Sequence, residues 1–418
     1  MRIKTKDLSY KEVCSLPAQP RLKPKRPSIV FRTLLKVLGG ADLKATGFTC
    51  ETEGMENLAK DEPALFLMNH SSFIDLKIAS SILYPRPFNI ICTSDGFVGK
   101  SALMRNLGCI PATKFVNDPD LVKDIFYAVR KLKNSILMYP EASYTFDGTA
   151  TPLPESVGKL VKKLGIALVM IKTCGAFLRD PLYNMLQLRK VRVSAKMKYV
   201  LSPEQIKTMK VEEINSVLKE LFTFDNFRDQ QNSRTKVDES FRADGLNRVL
   251  YKCPVCGTEG EMEGKGTKLK CRSCNTEWEL SEYGHLKTEG NKGVFDHVPD
   301  WYKWERECVK KEIENGTYKL DINVLIRMLV DTKYIYNVGR GRLVHTREGF
   351  HLTGCDGELD YTQRPERSYS LYSDYHWYEI GDMICIGDSK ALYYCFPEGK
   401  TDVVAKTRIA AEELFRLC

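Results

Sequence analysis

The stretch Asn69-His70-Ser71-Ser72-Phe73-Ile74-Asp75 sets an imidazole and a carboxylate five residues apart. A histidine can take a proton from a hydroxyl near neutral pH if one ring tautomer is fixed. Asp75 is spaced to reach back over a turn to the ring N–H and fix it. A base placed in this way supplies roughly 10²–10⁴-fold in rate. No protein nucleophile is required when the substrate brings its own hydroxyl. The same residues also fit a helix start, with Ser71 or Ser72 as N-cap and Asp75 favouring the first turn. A second set is Cys253-Pro254-Val255-Cys256 with Cys271-Arg272-Ser273-Cys274. Two CxxC turns 14 residues apart each aim two thiolates at one ion, and the Gly-rich stretch between them suits a hairpin. Four thiolates fill a tetrahedral shell, so a zinc ion held there would be structural. Paired redox cysteines are the alternative reading.

Elements must hold these sets in place. Buried strands are expected at 64–68, 88–93, 109–115, 135–140 and 166–172, with a longer alternating run at 191–201. Helical spacing fills 73–83, 118–132 and 155–165, and further helices at 211–222 and about 238–250 close the unit. Strands alternating with helices imply an α/β layer around a mostly parallel sheet flanked by helices. His70 and Glu141 then fall just past the carboxyl ends of two strands, where such sheets place their ligand crevices. From Tyr251 the chain is short of aliphatics and rich in Cys, Gly, Lys and Glu. After a helix at 301–316, short aromatic and β-branched runs and a final helix at 403–417 predict a small β-rich C-terminal domain. Its alternation with the closing helix suggests a pleckstrin-homology-like shape. The expected divisions are 1–38, a basic amphipathic membrane-contact segment; 39–250, the α/β domain; 251–282, the ribbon; and 283–418, the β-rich domain.

The chain has 418 residues, 43% hydrophobic, with 63 Lys and Arg against 54 Asp and Glu. That is ample for packed cores and excludes wholesale disorder. No apolar run reaches the roughly 18 residues of a spanning helix, and the first residues lack the apolar stretch of a secretory signal. Residues 1–36 carry ten Lys/Arg against two acids, mixed with Ile29, Val30, Leu34, Leu35 and Leu38 further along. Such a segment suits an anionic surface, and its greasy face favours lipid over a phosphodiester backbone. A helix packed on the body with a solvated basic side is the plainer reading. Nucleic-acid binding is not expected, because the basic residues lie far in sequence from the ribbon and no stacking motif accompanies them. Fourteen cysteines argue against a disulfide framework, and the expected location is cytoplasmic, peripheral on the inner face of a membrane. His285, His297, His345, His351 and His376 show no partner pattern and are expected in packing or at the surface.

Beyond the His70 and Asp75 pair stand Tyr139-Pro140-Glu141-Ala142-Ser143-Tyr144 and, before it, Gly108 through Lys114. Over about residues 40–205 this pattern resembles the glycerolipid acyltransferase family, typified by 1-acylglycerol-3-phosphate acyltransferase. The resemblance implies that His70 deprotonates an acceptor hydroxyl that attacks an acyl thioester, and that Asp75 orients His70. It implies acyl-CoA or acyl carrier protein as donor and a lysophospholipid as acceptor, with 1-acylglycerol 3-phosphate the first choice. Lys114, Glu141, Ser143 and Arg179 would bind the acceptor, with Lys172 near by. The sequence departs from the family at Tyr144, where an arginine is usual, at Ala142-Ser143 in place of Gly-Thr, and in having Lys rather than Arg at 114. A bidentate arginine clamp on phosphate is thus missing from its usual place. Another lysolipid or an amino-lipid as acceptor, or a non-catalytic lipid-binding adaptor, are the rival readings.

Overall fold

The computed structural model describes residues 3–17, 19–116, 118–288, 294–399 and 402–418. Residues 1, 2 and 18 of the basic segment lie outside them. A seven-stranded sheet forms the first layer, in the spatial order Thr49–Glu53, Ser194–Leu201, Ala167–Cys174, Ala64–Met68, Ser135–Met138, Phe88–Thr93, Cys109–Ala112. All neighbours are parallel except Ala167–Cys174 against Ser194–Leu201. Strand Ala64–Met68 is buried at every position, as a strand covered on both faces must be. The strand Thr49–Glu53 has no apolar alternation and is exposed throughout, so hydropathy gave no sign of it.

Helices cover both faces. Pro119–Arg130 starts where the Asp118 carboxylate accepts the Asp120 and Leu121 N–H groups at 2.9 and 3.1 Å. Ser156–Leu164 stops at Gly165, whose φ of +59° is left-handed. The helix expected at about 238–250 does not form. Only the short turn Leu246–Arg248 is wound there, because Gly245 sits at φ +74° against the Tyr183 carbonyl and breaks the run. Helix Asn226–Ser233, capped by Asp225, precedes it and packs Phe227 into the core shared with Phe177.

The cysteine pairs belong to a four-stranded antiparallel sheet, Met262–Lys265, Lys268–Cys271, Glu277–Leu280 and Leu286–Lys287. Trp278 of this ribbon is fully buried and lies 4.8 Å, ring to ring, from Trp301 of helix Val298–Glu314. Beyond it, seven antiparallel strands run in the order Leu359–Gln363, Gly349–Gly354, Ile335–Thr346, Leu320–Leu329, Leu392–Pro397, Gly381–Gly387, Tyr372–Trp377, followed by helix Val403–Arg416. One continuous core joins Phe177 and Tyr183 of the α/β layer to the ribbon and to this β-rich region.

The first 45 residues are not one amphipathic unit. Thr5–Asp7 adds a parallel strand to Ile335–Asn337 of the C-terminal sheet. Basic side chains then tie an extended stretch to the α/β layer: Arg21 to Asp120 and Asp124, Arg26 to the Leu132 carbonyl, Arg105 to the Lys23 carbonyl. Helix Ile29–Ala45 follows, capped by Ser28, and runs across the expected boundary at residue 38. It lies so close to helix Ile74–Ile82 that a Cβ on Gly39 would stand 3.0 Å from the Lys77 Cβ. Val30, Leu34, Val37 and Leu38 are 69, 43, 67 and 66% exposed, an apolar stripe at helical spacing. No helix among the described residues is long and apolar enough to cross a membrane.

Candidate active site

Strands Ala64–Met68 and Ser135–Met138 are neighbours, with Leu67 level with Met138. Parallel pairing brings their carboxyl ends together, so the turn bearing His70 meets the turn bearing Glu141. That is why residues 71 apart in sequence share one site. The His70 backbone N–H donates to Glu141 Oε2 at 2.9 Å, and Thr145 N–H donates to the His70 carbonyl at 3.3 Å. Glu141 Oε1 accepts from the Thr151 N–H at 3.0 Å and the Thr151 hydroxyl at 3.2 Å. Burial nevertheless lifts the Glu141 carboxyl to about 7. With both oxygens turned to the chain, Glu141 fastens the second turn onto the backbone of His70 instead of facing an open space.

Asp75 opens helix Ile74–Ile82 and is 1% exposed. Its Oδ2 accepts the Ser71 and Ser72 N–H groups at 2.8 and 3.1 Å and lies 3.1 Å from His70 Nδ1. The N-cap position is Phe73, with no side-chain cap, rather than Ser71 or Ser72; one Asp75 oxygen instead holds the turn before the helix and also faces the imidazole. A carboxylate can only accept, so Nδ1 carries the proton and Nε2 keeps its lone pair. Burial pushes the His70 pKa down, and Asp75 offsets part of that. A pKa below the usual 6.5 favours the neutral ring at pH 7.

Tyr139 and Tyr144 stack on the imidazole with centroids 4.1 and 4.2 Å away. The Tyr139 ring lies stacked, at 22° to the imidazole, and the Tyr144 ring is tilted at 38°, leaving 19% of the His70 side chain exposed. Tyr144, at the position where the resemblance predicts arginine, is thus a wall of the imidazole slot. Asn69 braces the turn from below, accepting the Thr173 N–H at 2.8 Å and donating to the Thr173 hydroxyl at 3.0 Å. The buried Asp75 Oδ1, Tyr139 hydroxyl and Ser143 hydroxyl have no partner among the described residues.

The other expected residues scatter around this slot. Lys114 lies with its Nζ 4.1 Å from the centre of the Tyr372 ring and borders a cavity of about 200 Å³ between the α/β layer and the C-terminal sheet. Burial lowers its pKa, opposed by Asp95 and Asp374. Arg179 is buried and paired: Nη1 lies 3.2 Å from Asp180 Oδ2, and Nη2 lies 3.9 Å from Asp42 on helix Ile29–Ala45. Lys172 donates to the Thr223 carbonyl at 3.5 Å. Sequence reasoning missed the β-rich region's part in this neighbourhood. Asp374, on strand Tyr372–Trp377, is half-buried near Lys114, and desolvation lifts its carboxyl to about 7. Nothing in the local pattern of SLYSDYHWY linked it to His70. The remaining histidines are packed or at the surface, His345 stacked on Phe350 and His351 paired with Asp360.

The four cysteine sulfurs Cys253, Cys256, Cys271 and Cys274 all lie within 4.8 Å of one another, a set able to hold one metal ion. Both knuckles close alike: Gly257 N–H donates to the Cys253 carbonyl and Asn275 N–H to the Cys271 carbonyl, each at 2.9 Å. Gly257 and Asn275 are both left-handed, at φ +76° and +60°. The other cysteines are free thiols.

No curated protein matches the chain. Among solved structures, the 1-acyl-sn-glycerophosphate acyltransferase PlsC from Thermotoga maritima is similar at 17% identity and a TM-score of 0.35, over 46% of this chain and 76% of that one. Residues 49–173, which hold the His70 and Glu141 turns and the strands beneath them, match the acyltransferase family model.

Proposed function

We propose that the protein moves a fatty acyl group from acyl-CoA or acyl carrier protein to the hydroxyl of a lysophospholipid, with 1-acylglycerol 3-phosphate as first choice and phosphatidic acid as product. One observation carries this reading: an imidazole whose Nδ1 faces a buried carboxylate at 3.1 Å, held between two tyrosine rings and left partly exposed. In the proposed reaction, Nε2 takes the proton of the acceptor hydroxyl as that oxygen attacks the thioester carbonyl carbon. The C–S bond then breaks, and the imidazolium returns its proton to the departing thiolate. Asp75 stabilises the imidazolium between the two steps. A phosphate-bearing acceptor is favoured by Lys114, whose charge is felt at His70.

The four cysteines hold one structural zinc ion in this proposal. A tetrahedral ion with metal–sulfur bonds of about 2.3 Å spaces its sulfurs about 3.8 Å apart. The Cys253–Cys274 and Cys256–Cys271 pairs lie at 3.7 and 3.8 Å. Four thiolates leave no position for substrate, so the metal would hold the ribbon in shape and take no part in the chemistry. The protein would work peripherally on the cytosolic face of a membrane. Support comes from the exposed stripe of helix Ile29–Ala45, with Phe73 and Leu76, 58 and 38% exposed, beside His70.

The test is to offer the purified protein a panel of lysolipids with acyl-CoA and acyl carrier protein donors. Turnover on at least one pair is expected, abolished in His70→Ala with folding and metal content unchanged. Retained turnover in that variant would remove His70 as the base.

A further inference from the structure

The helix Val403–Arg416 lies 230 residues beyond the stretch that matches the acyltransferase model, yet it carries a buried guanidinium with two nitrogens that the fold leaves without a hydrogen-bond partner. Arg408 is 3% exposed. Its Nε donates to Glu412 Oε1 at 3.3 Å, and its guanidinium lies 4.5 Å from the centre of the Phe146 ring. Nη1 and Nη2 have no hydrogen-bond partner among the described residues. A guanidinium does not shed its charge, and buried donors are seldom left unpaired in a folded chain.

The acids near by are already engaged. Glu412 Oε1 also accepts from the Ser370 hydroxyl, and Oε2 from Arg306, both at 2.7 Å. Glu413 Oε1 takes Arg306 at 2.8 Å and Arg416 at 2.6 Å. Three guanidiniums, those of Arg306, Arg408 and Arg416, share the two carboxylates of Glu412 and Glu413. Asp147 accepts from Thr145 and Thr149, and Asp225 and Asp300 lie 3.2 and 3.0 Å from His297.

Arg408 borders a cleft of about 330 Å³ that is lined also by Thr151, Lys303, Arg306 and the carboxylates Asp147, Asp225 and Asp300. That is within the size range of small-molecule sites. Thr151 is the residue that donates to Glu141, which in turn holds the His70 backbone. The cleft is therefore two hydrogen bonds from the imidazole turn. Glu141 and Lys114 both feel the Arg408 charge, and Lys114 is also felt at His70.

We propose that Arg408 grips a phosphate group of a substrate in this cleft, so that the C-terminal helix completes the acyltransferase site. The choice of phosphate as the anion rests on the acyl transfer proposed above. Two free nitrogens on one planar fork match two phosphate oxygens. The group comes either from the acceptor headgroup or from the nucleotide of coenzyme A.

Calorimetric titration of the full-length protein with glycerol 3-phosphate and with adenosine 3′,5′-bisphosphate separates the two sources. Binding of the first assigns the site to the acceptor, binding of the second to the donor. Arg408→Lys, which keeps the charge and loses the fork, should bind the same probe about tenfold more weakly. Arg408→Gln should lose binding, and if it fails to fold the lysine variant decides alone. His70→Ala should bind like the wild type. The inference is overturned if neither probe binds the wild type, or if Arg408→Lys binds within twofold of it. Because these readouts need no turnover, a protein inactive on every lysolipid leaves the binding result standing, and loss of the binding result leaves the His70 chemistry standing.

Discussion

Replacing Asp75 by Asn isolates the charge that the proposed mechanism asks of this residue. The amide oxygen can still accept from the Ser71 and Ser72 N–H groups and from His70 Nδ1–H, so the turn and the tautomer are preserved. What is lost is attraction between a carboxylate and the imidazolium that forms as Nε2 takes the proton. At an effective dielectric constant of about 20 and a charge separation of about 4 Å, that attraction is about 4 kcal/mol. Such a loss falls on the transition state alone and corresponds to about a thousandfold in kcat with KM unchanged. The assay is steady-state acyl transfer to the best acceptor of the panel, with His70→Ala as the floor. The pH profile gives a second readout. Burial holds the His70 pKa below its usual 6.5, so activity in the wild type should fall off only at lower pH, as the imidazole becomes protonated. Asp75 raises that pKa, so the Asn variant should move the acid limb lower still. A variant within tenfold of wild type, with its acid limb unmoved while His70→Ala is dead, would refute the role assigned to Asp75.

Two further predictions concern the surroundings of the site. Cys271→Ser, or removal of metal by a strong chelator, should lower the melting temperature and alter tryptophan fluorescence. Trp278 of the ribbon packs against Trp301 of the next helix, so an unchanged spectrum would mean that no metal holds the ribbon. Val37→Glu with Leu38→Glu should leave stability within about 0.5 kcal/mol, because both side chains are exposed. The same pair should weaken binding to anionic vesicles by roughly thirtyfold or more, since two large apolar side chains together contribute about 2–3 kcal/mol on burial. Undiminished flotation would move membrane contact away from helix Ile29–Ala45.

Tyr144 and Glu141 show where the resemblance and the geometry part. The resemblance leads one to expect Glu141 at the acceptor; in the structure its two oxygens hold the Thr151 and His70 backbones. The basic residues of the first 36 positions look like a membrane patch in one dimension, yet several are spent on carboxylates and carbonyls of the body. The apolar stripe of the same stretch is what remains outside. Charge and hydropathy along a chain do not say which side faces out, because that depends on partners distant in sequence.

Local composition was enough for the elements whose signals are short in range. The alternation of buried strands and amphipathic helices, the His70 to Asp75 turn and the paired CxxC knuckles are all set by spacings of a few residues, which the backbone periods translate directly into faces. The order of strands across the sheet, the stacking of Tyr139 and Tyr144 on the imidazole, and the arrival of Asp374 and Arg408 from beyond residue 370 were decided by tertiary packing. Those contacts join segments tens to hundreds of residues apart, and no local pattern records which buried charge will be left facing which cleft.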